Sequence, residues 1–192
     1  MKLSFSTKGW HGYSFDDFCR VAEELHFAGI ELHNIKKSSF AGNGVAPFAP
    51  ESASATVRSM IDRSVTVPCI DSVCDIADIS KLEENCAEIA DCITTAANLR
   101  VPYVRVHTYE QSSEGYDLEM IAECLRRSVE FAEERHVTIL IETVGVFADT
   151  SKLRDMLNRF ASDGLAALWN MHYPYRIAGE SPETTIDRKS VV

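Results

Sequence analysis

The chain has 192 residues, of which 45% are hydrophobic and 25% are charged, a composition typical of a folded globular protein with a sizeable core. Its formal net charge of −10 repels a phosphate backbone and the sequence has no basic stripe, which excludes nucleic acid and favours a small-molecule partner. No apolar run reaches the roughly 18 residues of a membrane span, and the first residues lack the apolar core of a signal peptide. We therefore expect no membrane partner, a cytoplasmic location and a single domain over residues 1–192.

Six cysteines are scattered along the chain without any Cys-x-x-Cys pair. This spacing favours reduced, buried thiols over a disulfide framework or a zinc ribbon. The cysteines are Cys19, Cys69, Cys74, Cys86, Cys92 and Cys124.

Six short β-rich runs alternate with helical patterns. Several of the runs are almost continuously apolar, as is typical of parallel strands that are covered on both faces. The predicted strands are residues 2–6, 29–33, 65–71, 101–107, 137–142 and 165–170. Strict alternation predicts a parallel sheet with right-handed crossovers, and it leaves a barrel and an open sheet as alternatives.

The helices between the strands carry their own start signals. Ser14 is positioned to cap the first helix, and Asp117 is positioned to cap the fourth. Ser80 with Glu83 has the capping-box pattern at the start of the third helix. The second helix, over about residues 50–63, follows the irregular stretch 34–50, which we interpret as a long functional loop.

Polar side chains gather where the predicted strands end. In parallel α/β sheets this edge builds the active site, so the histidines His33 and His107 are candidates there. Glu142 is the strongest candidate for a functional residue, because a carboxylate directly after the apolar run 137–141 needs a cation or hydrogen-bond donors. A structural ion pair is the alternative for Glu142. Other polar residues at this edge are Ser6, Thr7, Asp71, Asn170 and His172.

Two further groups near this edge have two interpretations each. Asp71 and Asp75 flank a predicted short loop, where helix capping explains either residue as well as a functional role. Trp10 and His11 follow the first strand and form either one wall of a substrate site or an ordinary aromatic loop cluster with Tyr13.

Four segments together resemble the sugar phosphate isomerases/epimerases of the xylose isomerase-like TIM-barrel superfamily. They are WHGYSFDDFCRVAEELHFAGIELHNI (10–35), RVPYVRVHT (100–108), LIETVGVFADTSKLRDML (140–157) and LAALWNMHYPYRIAGESPETT (165–185). The resemblance implies an α/β fold of parallel (β/α) units, with about six of the eight units of a TIM barrel present. Because such a barrel usually needs about 250 residues, we expect a C-terminally truncated, incomplete or open barrel, whose exposed sheet edges invite a homo-oligomer or a partner chain.

The resemblance also implies a metal site. Members of this family hold a divalent ion, Mn²⁺ or similar, with a Glu, an Asp, a His and a second Glu that follow successive strands. Glu142 matches the first ligand. The family pattern Trp-Asp-x-His-His-Pro here runs from Trp169 to Pro174, so Asn170 replaces the Asp ligand, and His172 is a nearby substitute ligand. Tyr173 replaces a histidine that is expected to contact substrate.

The function implied is metal-assisted isomerisation or epimerisation of a small sugar, sugar phosphate or polyol derivative. Glu142 is expected both to ligate the metal and to transfer the proton. Substrate-binding candidates are His33, His107, Tyr173, Trp10 and His11. The alternative is a non-catalytic homologue that binds a ligand or partner without turnover, which Asn170 and Tyr173 favour. Abasic-site endonucleases of the same superfamily are disfavoured by the acidic charge and by only six histidines.

Overall fold

A computed structural model describes residues 2–109 and 115–189 of the chain, with side chains as far as residue 187. Six parallel strands alternate with helices in these residues. The strands are β1 (Ser4–Ser6), β2 (Gly29–His33), β3 (Cys69–Asp75), β4 (Tyr103–His107), β5 (Thr138–Glu142) and β6 (Leu165–Leu168). The helices are α1 (Phe15–Glu24), α2 (Pro50–Asp62), α3 (Leu82–Leu99), α4 (Leu118–Glu133), α5 (Thr150–Phe160), α6 (His172–Arg176) and α7 (Pro182–Lys189). Short 3-10 helices occupy Ser38–Ala41, Ile79–Lys81 and Gly145–Ala148.

The six strands form one sheet in which the strand order follows the chain order from β1 to β6. Every pairing is parallel, and within the described ranges no pairing joins β6 back to β1. The sheet is therefore not closed. This confirms the prediction of TIM-barrel-like (β/α) units in an open arrangement.

The core lies between the sheet and the helices that cover it. The apolar runs identified in the sequence supply its centre, where burying one such side chain contributes about 1.5–3 kcal/mol. Fully buried strand residues include Ile30, Leu32, Val104, Val106, Ile139 and Ile141. None of the helices within the described ranges is long and apolar enough to cross a membrane.

Two of the three predicted helix caps are confirmed. Ser14 accepts from the backbone N–H of Asp17, whose carboxylate accepts in return from Ser14 N. The Asp117 carboxylate accepts from the first turn of α4. The capping box at Ser80 is wrong, because a 3-10 turn precedes α3 and the carboxylate of Asp78 accepts from Ser80 N at 3.1 Å.

The third strand lies four residues later than predicted, at Cys69–Asp75 in place of 65–71. Thr66 makes only an isolated bridge to Gly29, and Pro68 has no N–H with which to extend the ladder. Asp71 consequently lies inside β3, paired in register with His33 on one side and Arg105 on the other. The interpretation of Asp71 as a loop residue or helix cap is wrong, because the strand continues past it and the side chain is fully buried.

Candidate active site at the carboxyl ends of the strands

A cavity of about 310 Å³, called here the mouth cavity, opens at the carboxyl ends of the strands. This volume is at the lower end of the range for small-molecule sites. Larger cavities flank the loop after β2, but their walls carry mostly apolar and small side chains. The mouth cavity is lined by Ser6, Lys8, Glu31, Arg105, His107, Tyr109, Glu142, Val144, Asn170 and Tyr173.

Three carboxylates surround the guanidinium of Arg105 at the base of this cavity. Arg105 Nη2 lies 2.5 Å from Asp71 Oδ2, and Arg105 Nε donates to Asp71 Oδ1 at 3.1 Å. Arg105 Nη1 lies 3.1 Å from Glu31 Oε1, and Arg105 Nε lies 3.7 Å from Glu142 Oε2. We call Glu31, Asp71, Arg105 and Glu142 the Arg105 cluster. Its formal charge is −2 when all four groups are ionised.

Burial and pairing act differently on the members of this cluster. Burial works to raise the pKa of Asp71, but hydrogen bonds from His33 and Arg105 outweigh it and hold the pKa below its usual range. Burial also raises the pKa of Glu31, and here the Arg105 charge is not enough to reverse the shift. The pKa of Arg105 is raised by its carboxylate partners against the effect of burial, so the guanidinium stays charged.

Glu142 ends β5 and lines the mouth cavity with its side chain only 14% exposed. Asn170 Nδ2 donates to Glu142 Oε1 at 2.8 Å. The hydroxyl of Thr143 accepts from Asn170 N and donates to Asn170 O, which fixes this residue beside the end of β5. The amide thus supplies Glu142 with a neutral donor where the family pattern has an acid.

His107, the last residue of β4, is only 2% exposed and yet has no hydrogen-bond partner for either ring nitrogen within residues 2–109 and 115–189. Its Nδ1 lies 3.8 Å from Asp71 Oδ1, beyond hydrogen-bond distance, and its ring is roughly perpendicular to that of Tyr109, with the two ring centroids 4.3 Å apart. Burial lowers the pKa of His107, so the ring is neutral at pH 7. A neutral imidazole offers one N–H donor and one acceptor to a bound group.

The other predicted substrate residues divide into two groups. Tyr173 lines the mouth cavity, whereas His33 does not. The Nδ1 of His33 donates to Asp71 Oδ2 at 2.7 Å, which holds its ring against Asp71. Trp10 belongs to an aromatic cluster with Tyr13 at 5.2 Å and with the phenylalanines of the neighbouring core. Trp10 and His11 do not line the mouth cavity.

The predicted metal ligands do not form a ligand set that fits a divalent ion. Glu142 receives the nitrogen of Asn170, while the Asn170 oxygen accepts from the backbone N–H of His172 at 3.1 Å. His172 is exposed and does not line the mouth cavity. In the described part of the chain, no three His, Cys, Asp or Glu side chains are grouped so as to hold a metal ion. The metal therefore stays a prediction.

Sequence reasoning missed Arg105 and Glu31 as site residues. Both are charged residues placed inside apolar strands, in VPYVRVH and GIELH. That pattern is itself a signal, because a charge in a buried strand requires a partner on a neighbouring strand.

The chain belongs to the xylose isomerase-like TIM-barrel family, whose sequence profile matches residues 19–176. The resemblance inferred from the four segments is thereby confirmed. A search of the curated proteins gave no match.

Solved structures share this fold at low sequence identity. The 3-keto-D-glucoside 4-epimerase YcjR of E. coli superposes with a TM-score of 0.78 at 10% identity, over 100% of this chain and 76% of that one. A D-psicose 3-epimerase in the presence of D-fructose gives 0.73 at 13%, over 98% and 70%. The probable 3-DHS dehydratase AsbF of Bacillus anthracis gives 0.72 at 18%, over 100% and 70%. At these identities the likeness shows the fold alone.

Proposed function

We propose that the chain binds a small sugar or polyol derivative in the mouth cavity and that Glu142 transfers a proton in its isomerisation or epimerisation. The observation that carries this proposal is His107, which is buried against the cavity with two unpartnered ring nitrogens among the described residues.

An unpaired buried polar group costs about 1–3 kcal/mol, so a histidine in this position is expected to serve a bound group. A sugar hydroxyl both donates and accepts, which matches the one donor and one acceptor of the neutral His107 ring. Tyr109 and Tyr173 add aromatic surface beside it. The wall is therefore suited to a small polyhydroxylated molecule.

Glu142 has the position that a general base requires. Its carboxylate lines the same cavity as His107, and one oxygen is oriented by Asn170. The carboxylate takes the proton from the carbon next to the substrate carbonyl, and the electron pair of that C–H bond moves to the carbonyl oxygen. If the proton of the adjacent hydroxyl moves to the first oxygen and the former carbonyl carbon takes up the carbon-bound proton, the sugar is isomerised. If the carbonyl re-forms where it was and the same carbon is protonated on its opposite face, the sugar is epimerised.

The charge of the cavity favours a substrate without phosphate. Glu31, Asp71 and Glu142 outnumber Arg105, whose guanidinium already lies against all three carboxylates. Lys8, the other cation of the lining, is exposed. A phosphate dianion would meet net negative charge at close range, which is unfavourable at the low dielectric of a cavity. We therefore propose a free sugar over a sugar phosphate.

The comparisons support a keto sugar as the substrate class. Two of the structures with this fold are a 3-keto-D-glucoside 4-epimerase and a D-psicose 3-epimerase, both named for epimerisation of a sugar. The dehydratase with the same fold is a reason to test the reaction directly.

The test is the incorporation of deuterium from D₂O into a panel of ketohexoses that includes D-fructose and D-psicose. NMR measures both the incorporation and the conversion of each sugar. We expect the wild type to exchange and convert at least one sugar, and Glu142→Gln to lose about 10²–10⁴-fold of the rate, the usual contribution of a general base. The matched control is Glu24→Gln, a change at an exposed glutamate of α1. Undiminished exchange in Glu142→Gln would refute the role of this residue.

A second candidate function is binding without turnover. The bond from Asn170 to Glu142 favours it, because the amide takes up one oxygen of the carboxylate and brings no ionisable group of its own. Calorimetric binding of a sugar from the panel, with no exchange in D₂O, would support this candidate. A Mn²⁺ titration of thermal unfolding beside Glu142→Ala tests the predicted metal, since a site filled at about 100 times its Kd adds roughly 2.7 kcal/mol.

A further inference from the structure

We propose that Cys86 and Cys124 form a site of reversible oxidation, at which a hydroperoxide converts the two thiols into a disulfide that joins α3 to α4. Both thiols are free in the structure. Neither residue lines the mouth cavity, so this inference does not depend on the proposed function.

The sulfur atoms of the two residues are already in contact. Cys86 Sγ donates to Cys124 Sγ at a distance of 3.7 Å. A disulfide bond is about 2.05 Å long, so the two sulfur atoms would have to approach each other by about 1.7 Å. Rotation of the two side chains about their Cα–Cβ bonds moves sulfur atoms by distances of this size. We therefore expect the bond to form without a new arrangement of the two helices.

The packing of α3 against α4 holds the thiols in this position. Cys86 lies in the second turn of α3, Cys124 lies in the second turn of α4, and the two helices contact each other. Glu83 on α3 and Arg127 on α4 are each three residues from one of these cysteines, and Arg127 Nη1 lies 2.6 Å from Glu83 Oε1. Because residues three apart share a helix face, the ion pair and the thiol pair cross the same interface.

The two thiols differ in exposure, which assigns each of them a role. Cys86 is partly exposed, so a small oxidant in solution can reach its sulfur atom. Cys124 is only 1% exposed, and burial raises the pKa of its thiol. The thiolate is the form that attacks an oxidant, and Cys124 is kept in its thiol form. Cys86 is therefore the residue that reacts first, and Cys124 is the residue that completes the disulfide.

The reaction balances with the hydroperoxide as the oxidant. The Cys86 thiolate attacks one peroxide oxygen, so that an S–O bond forms and the O–O bond breaks. The other oxygen leaves and takes up the proton that Cys86 lost. The Cys124 sulfur then attacks the Cys86 sulfur, the S–S bond forms, and the S–O bond breaks as hydroxide leaves with the Cys124 proton as water. The two thiols lose two electrons and the peroxide gains them, and a dithiol reverses the oxidation by thiol–disulfide exchange.

Two of the other cysteines direct their sulfur atoms at oxygen. Cys74 Sγ donates to Asn85 O at 3.5 Å, and Cys92 Sγ lies 3.7 Å from Glu88 Oε1. Both cysteines are buried. Cys74 also lies near the proposed pair, because it contributes to the raised pKa of Cys124. Cys74 is therefore the best matched control.

The experiment treats the purified chain with hydrogen peroxide, removes the peroxide with catalase, unfolds the protein and alkylates the remaining thiols. Mass spectrometry of the digested protein then identifies any linked peptides. We expect the wild type to lose two of its six thiols and to give one linked pair that contains Cys86 and Cys124. Because the cross-link restricts the unfolded chain, Tm of the oxidised protein should rise by roughly 4–16 °C. Dithiothreitol should reverse both changes.

The variants show whether these two residues form the bond. Cys86→Ser and Cys124→Ser should each give no linked peptides and no rise in Tm after oxidation, whereas Cys74→Ser should behave like the wild type. If Cys124→Ser does not fold, Cys86→Ser at the partly exposed position gives the same test. The inference is overturned if the treated wild type keeps all six thiols, if the linked peptides contain another pair or join two chains, or if Cys86 is oxidised to the sulfinic acid without a cross-link.

Discussion

Replacing Arg105 by methionine is the sharpest test of the site's electrostatics. The change keeps the aliphatic stem and removes the cation that lies 3.1 Å from Glu31 and 2.5 Å from Asp71. Asp71 is fully buried, and within residues 2–109 and 115–187 its carboxylate then keeps His33 as its one hydrogen-bond partner. Removing one partner of a buried ion pair costs about 3–5 kcal/mol. For a chain of this size each kcal/mol lowers Tm by about 2–4 °C, so we expect a fall of roughly 6–20 °C.

The stability lost in Arg105→Met should depend on pH. The pKa of Asp71 in the folded protein is below its unfolded value, so its contribution is present at neutral pH and is lost as pH falls through the folded pKa. The difference in Tm between the wild type and Arg105→Met should therefore become smaller as the pH falls.

Scanning calorimetry between pH 3 and 8 measures both effects, with two reference variants. Arg159→Met removes an exposed arginine that is paired with Glu119 at 2.6 Å, and such exposed pairs contribute little. Asp71→Asn combined with Arg105→Met should recover part of the loss, because the unpaired buried charge is gone. An Arg105→Met protein that unfolds at the wild-type temperature would refute the reasoning.

Three further changes probe the site and its support. His107→Leu should leave Tm unchanged or raise it, because it removes two ring nitrogens that have no hydrogen-bond partner in the described part of the chain. The same change should weaken sugar binding measured by calorimetry, and a large fall in Tm would contradict this reasoning. Gly145→Ala should destabilise the protein by more than the roughly 1–2 kcal/mol that left-handed backbone costs a residue other than glycine. Gly145 has a φ of +59°, and an added Cβ would also lie 2.1 Å from Thr108 O. A urea-unfolding midpoint equal to that of the wild type would count against this prediction. Burial raises the pKa of Cys19 to about 11 and of Cys74 to about 12, so in the native protein these two thiols should resist iodoacetamide at pH 8 and react only after unfolding; rapid native labelling of either thiol, read by mass spectrometry, would disprove the burial argument.

Local signals were sufficient where a single segment decides its own structure. The apolar runs place β2 at the predicted residues and β5 within one residue of them, and Ser14 and Asp117 cap their helices as predicted. The prediction at β3 failed because pairing with neighbouring strands, and not propensity, sets where a strand begins. Pro68 interrupts the run that propensity alone would include.

The candidate site also combines residues that local signals identify with residues that only strand pairing brings together. Glu142 could be singled out from sequence, because a carboxylate directly after an apolar run needs a partner. The partner itself, Arg105 on β4, and the second carboxylate, Glu31 on β2, are distant in sequence and meet only through the order and register of the strands. The two histidines His33 and His107 both end their strands, so the sequence does not distinguish them. In the structure, His33 is bonded to Asp71 and does not line the cavity.

The sequence by itself therefore determined the family, the alternation of strands and helices, and the edge of the sheet where polar residues gather. Only the tertiary structure decided which of these residues share one cavity. It also decided which carboxyl group has a raised pKa and which a lowered one, and which histidine has no hydrogen-bond partner among the described residues. The physical reason is that periodicity and capping act over a few neighbouring residues, whereas pairing and burial of charge depend on strands brought together by the whole sheet.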